Sequence, residues 1–153
     1  GQLILRDRLT AGAIAGFVGG VAQDIFGIVA KALKLTDRGF VDFAERFMLY
    51  KNYPGVLAFL IGFIAQALIG AVIGVIFAYL IKFTSSRFYY FKGVGLGLFF
   101  WLTLGLAGTA YRLPLFKEVP PAASLMTLIG AILFGVVTAY LFKLLTVKLR
   151  VDL

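Results

Sequence analysis

The sequence predicts an all-α polytopic membrane protein with four transmembrane helices. They form two parallel-repeat hairpins, plus one short interfacial amphipathic helix that interrupts the first. Three observations predict this. First, of 153 residues 61% are hydrophobic and only 14% charged, with a mean hydropathy of +0.99. Soluble domains sit near 45–50% apolar and about 25% charged, so too few polar residues are present here to cover a surface facing water. Second, the apolar residues gather in four runs, each long enough to cross the hydrocarbon as a helix of about 20 residues. Third, the runs repeat one another. The length suits a single transmembrane domain over residues 1–153.

The first span is expected over about 9–32, between Leu9 and Ala32. The second runs from Pro54 to about Ile81, the third from about Phe91 to Tyr111, and the fourth over about 122–145, after Pro120-Pro121. Proline at the first turn lacks only an N–H that has no helical partner anyway, so Pro54 and Pro120 read as starts and Pro114 as a stop. The runs are too long for barrel strands and do not alternate apolar with polar. Between the first two spans, Phe40, Phe43, Ala44 and Phe47 share one helical face, with Arg38, Asp42, Glu45 and Arg46 away from it. Thr36 or Asp37 suits the cap. This segment, about 37–50, is expected to lie in the membrane interface as an amphipathic anchor, with a lid over a cavity as the alternative.

The second and fourth runs match as Leu68-Ile69-Gly70-Ala71 through Ala78-Tyr79-Leu80-Ile81-Lys82, against Leu128-Ile129-Gly130-Ala131 through Ala139-Tyr140-Leu141-Phe142-Lys143. One extra residue falls near Phe134. Gly12-Ala13-Ile14-Ala15-Gly16 and Gly93-Val94-Gly95-Leu96-Gly97 match more weakly. The unit is a two-span hairpin, and an even number of spans keeps both copies in the same orientation.

The net charge is +8 and the basic residues flank the apolar runs. That is the pattern of spans meeting lipid headgroups and argues against nucleic-acid binding. Basic residues number nearly the same on the two sides, and the reading places both termini in the cytoplasm. Gly1–Arg6 shows no signal-peptide pattern, and Arg6 stands where a myristoylation motif wants Ser or Thr.

Cys and His are both absent, which removes thiolate and imidazole chemistry and the usual zinc, haem and iron–sulfur ligands. No span carries paired carboxylates, and no base accompanies Ser85, Ser86 or Ser124. The chain is therefore expected to be no enzyme and to take no metal or other cofactor.

Glycines form rows at four-residue spacing: Gly12, Gly16 and Gly20; Gly70 and Gly74; Gly93 and Gly97, with Trp101 next; and Ala131, Gly135 and Ala139. Such small-residue faces let helices approach closely in lipid, within the chain or between protomers. Asp24 extends the first row. An ionised carboxylate there costs roughly 2.5–3.5 kcal/mol, so it is expected to be neutral, paired or facing water. Gln23 adjoins it, and Gln66 lies in the row of Gly62, Gly70 and Gly74. Asp24, Gln23 and Gln66 are thus a candidate polar binding site, with Thr103, Thr109 and Ser124 as added hydroxyls. In a structural alternative, Asp24 pairs with Arg112 or Lys31, and Gln66 bonds a neighbouring helix.

Two functions follow. One is a transporter or channel for a small solute or ion, assembled as a homo-oligomer, with its polar site at Asp24 and Gln66. The other is a non-catalytic accessory subunit that joins a membrane-protein partner through its glycine faces. The run Arg6-Asp7-Arg8-Leu9-Thr10-Ala11-Gly12-Ala13-Ile14-Ala15-Gly16 followed by four spans resembles small uncharacterised bacterial membrane proteins. The resemblance implies a bacterial plasma membrane and carries no activity or site residues.

Overall fold

The computed structural model describes residues 7–49, 55–85, 87–111 and 121–149. Five helices lie among them: α1 (Arg8–Ala32), α2 (Phe40–Leu49), α3 (Val56–Phe83), α4 (Tyr89–Ala110) and α5 (Pro121–Leu149). Four of these, α1, α3, α4 and α5, are long and apolar enough to cross a membrane. The protein is an all-α, multi-pass integral membrane protein. Pro54, Pro114, Pro120 and Arg112 lie outside the described residues.

Helix α1 packs chiefly on α3 and then on α5, while α4 packs on α5 and only sparingly on α3. Small residues set this order. Along one stripe of α1, Gly12 and Gly16 meet the backbone of α3. A Cβ added at Gly12 would stand 2.7 Å from the Gly74 carbonyl oxygen, and one at Gly16 would overlap the Gly70 carbonyl. On a neighbouring stripe, a Cβ at Gly19 would overlap the Thr138 hydroxyl and stand 3.2 Å from the Phe134 ring, both on α5. Ala11 and Ala15, fully buried, belong to the same apolar cluster as Phe142 of α5. A helix with small residues on two sides can sit between two neighbours at close range.

The second hairpin repeats the α1–α3 contacts at equivalent positions of α4 and α5. Each α1 residue corresponds to the α4 residue 81 positions later, and each α3 residue to the α5 residue 61 positions later. Gly12 abuts Gly74 and Ala78; Gly93 abuts Gly135 and Ala139. Gly16 faces the Gly70 carbonyl, and Gly97 faces that of Ala131. Arg8 Nη1 donates to the Ala78 carbonyl at 2.7 Å, and its counterpart Tyr89 donates its hydroxyl to the Ala139 carbonyl. The packing register needs no inserted residue near Phe134. Gly70 corresponds to Ala131, and Gly130 instead faces the Phe40 ring.

Helix α2 lies mainly against α3 and partly against α1. Phe40, Val41 and Ala44 are buried. Phe40 is wedged between Gly27 of α1 and Gly130 of α5, where a side chain would collide with its ring. The apolar face of α2 therefore turns inward onto the bundle. Glu45, expected on the outer face, is also buried, with its stem against Gly62. A Lys31–Asp42 ion pair (2.9 Å) ties α2 to the end of α1. In the turn between them, Arg38 bonds Asp37 side-on and lowers its carboxyl pKa.

Candidate binding cavity between the hairpins

A two-fold relation between the hairpins would make α3 meet α4 as α1 meets α5. At the end where the α3–α4 connection is short, the pair does close. There Phe77 and Tyr89 stack edge to face at 5.3 Å. Farther along, the equivalence fails in composition. Gly19, where α1 meets Phe134 of α5, is replaced in α4 by Phe100, and Phe134 by Ile73 of α3. A phenyl ring where the partner interface has a hydrogen holds α4 off α3. The gap is a cavity of about 310 Å³, at the small end of the ~300–1,000 Å³ usual for ligand pockets.

All five helices contribute to its wall. Gln23 comes from α1; Phe40, Phe43 and Ala44 from α2; Gln66, Ile69, Gly70 and Ile73 from α3. Gly97, Phe100, Trp101, Gly105 and Thr109 come from α4, and Ser124, Thr127, Ala131 and Phe134 from α5. The surface is mostly apolar, and no charged side chain lines it among the described residues. Its polar atoms are amides and hydroxyls. Gln66 Nε2 donates to Gln23 Oε1 at 2.5 Å. Across the cavity, Trp101 Nε1 donates to Thr127 Oγ1 at 2.9 Å, and Thr127 donates in turn to the Ser124 carbonyl at 2.9 Å. By the packing register Thr127 is the counterpart of Gln66, so the two hairpins place hydrogen-bonding side chains here at equivalent positions. The Gln66 carbonyl oxygen and the remaining amide hydrogens have no partner among the described residues, and can serve a ligand.

The structure brings two of the three sequence-derived site residues together and sets the third apart. Gln23 and Gln66 are hydrogen-bonded at the cavity wall. Asp24, next in sequence to Gln23, turns to the glycine-row side of α1. It is fully buried and does not line the cavity, and neither carboxylate oxygen has a hydrogen-bond partner among the described residues. Lys31, one expected partner, pairs with Asp42 instead; Arg112, the other, is not among those residues. Ser124 and Thr109 line the cavity, whereas Thr103 does not.

Sequence reasoning missed Trp101 and Thr127 as a polar pair. The only signal for Thr127 was its place opposite Gln66 in a gapless repeat. For Phe40, Phe43 and Ala44, which share one helical face, the lid over a cavity stands as the alternative to a lipid-surface anchor, and all three line the cavity wall. Comparison with protein-family models, with curated proteins and with solved structures gave no match to this chain.

Proposed function

We propose that the protein binds a small uncharged solute in the cavity between its hairpins and acts in the transport of that solute across or within the bilayer. The observation that carries this reading is an apolar cavity with an amide pair and no charged wall residue among the described residues. Among those residues a cation meets no carboxylate there, and an anion no guanidinium or ammonium, so they compensate the desolvation of neither. A neutral molecule with one hydrogen-bonding group loses little and finds the Gln23–Gln66 amides. The cavity is complete within one chain, so the reading does not require the homo-oligomer expected from the sequence.

The accessory-subunit reading rests on free glycine faces. Gly12, Gly16, Gly20, Gly70, Gly74, Gly93, Gly97 and Gly135 all meet neighbouring helices inside the chain, which favours the solute reading. We further read the protein as non-catalytic and cofactor-free, in a bacterial plasma membrane with both termini in the cytoplasm.

The test uses the single tryptophan, Trp101, as reporter. Octanamide, titrated into protein in detergent, is expected to change Trp101 fluorescence saturably, and octanoate is not. Gln66→Leu should weaken octanamide binding by about fivefold to tenfold, the loss of one hydrogen bond of roughly 1 kcal/mol. Equal responses to amide and carboxylate, or no saturable response to either, would refute the proposal.

A further inference from the structure

We propose that the solute is a membrane-dissolved, uncharged, single-chain amphiphile that enters sideways from the bilayer between α3 and α4, a proposal that rests on reading this cavity as the binding site. The first support is where the cavity opens. Leu102 and Leu106 line it, yet are 55% and 71% exposed. They are rim residues, partly facing inward and partly out of the bundle. Leu102 lies eight residues before the end of α4 at Ala110, about 12 Å along the axis at 1.5 Å per residue. That depth is comparable with half of a ~30 Å hydrocarbon core. An outward-facing residue there meets acyl chains rather than water, so the rim opens into hydrocarbon.

The second support is why the rim is open. Helices α3 and α4 are joined by a short connection and held at that end by the Phe77–Tyr89 contact. Beyond it they barely touch, and Gly105 on the cavity wall has nothing among the described residues within 4 Å of where a Cβ would stand. The slit between the helices is therefore closed at one end and wide in the middle of the span.

The third is chemistry. A chain sliding between Phe100, Ile73 and Leu102 meets only apolar surface before reaching the amides of Gln23 and Gln66. The volume holds roughly ten groups of the ~30 Å³ that a water occupies in the liquid, which suits one alkyl segment. A head group with a hydrogen-bond donor and acceptor and no charge matches the Gln23–Gln66 pair.

The test again uses Trp101, now in phosphatidylcholine vesicles. A brominated fatty amide is added at low mole fraction, with a brominated alkyl sulfate of equal chain length as the charged control. The wild type is expected to show saturable quenching by the amide and only weak, linear quenching by the sulfate. Gly105→Leu fills the slit at a position with open space, so the fold should stand, and it should abolish the saturable component. Leu102→Phe, at an exposed rim site, should reduce it as well. Gln66→Leu should raise half-saturation at least fivefold.

Linear quenching that is the same in the wild type and Gly105→Leu overturns lateral entry. If octanamide from the aqueous phase still binds in that case, the cavity remains a solute site and only the lateral route falls. If octanamide fails too, both readings fall together.

Discussion

At the residue scale, the chain is governed by where side chains are absent. Gly16 and Gly74 bring α1 and α3 into backbone contact, and Gly74 has the Gly12 carbonyl directly against the place a Cβ would take. Gly16→Val is expected to destabilise by about 1–3 kcal/mol or more, since overpacking here must push backbone. Thermal melts in detergent would show it, while Gly95→Leu, with nothing within 4 Å, should melt like the wild type. Asp24 is the converse case, a polar group with no partner among the described residues. Replacing a buried carboxyl that no described residue satisfies breaks no bond among them. Asp24→Asn should therefore melt no lower than the wild type, and a drop of several degrees would mean that the carboxylate holds a partner.

At the element scale, the hairpin is the unit, and its register is the firmest feature of the molecule. Arg8 and Tyr89, unlike in chemistry, donate to equivalent carbonyls on equivalent helices. Tyr89→Phe should cost about 1 kcal/mol, read as a lower unfolding midpoint in denaturant titration. Helix α2 has its largest buried anchor in Phe40. Phe40 fills space between Gly27 and Gly130, and Phe40→Ala is expected to cost about 3–5 kcal/mol if the bundle unfolds as one unit. If α2 undocks alone, hydrogen exchange should rise in residues 40–49 while α1 and α3 stay protected. Span positions and the hairpin repeat were legible because hydropathy and glycine spacing act locally along the chain. The inward face of α2 was not, because a helix with an apolar side looks the same whether it lies on lipid or on protein. Nor was the separation of Asp24 from Gln23. A 100° step between neighbours puts Gln23 on the cavity wall and Asp24 off it, fully buried, and the sequence does not mark that boundary.

At the scale of the whole molecule, the site lies where a duplicated fold departs from its own symmetry. Gly19 lets α1 close on α5, and its counterpart Phe100 keeps α4 away from α3. The residues that differ between copies, Gln23 against Leu104 and Gln66 against Thr127, line the resulting cavity. Among the described residues no charged side chain faces that space, so planar bilayers holding the protein in sodium or potassium chloride should show no conductance above background. The measurement that tests the account most directly is calorimetric titration of octanamide into the purified protein. One molecule is predicted to bind per chain, with affinity reduced in Gln66→Leu and in Gly105→Leu. An absence of saturable heat, or equal affinity in all three proteins, would contradict a binding site between the hairpins.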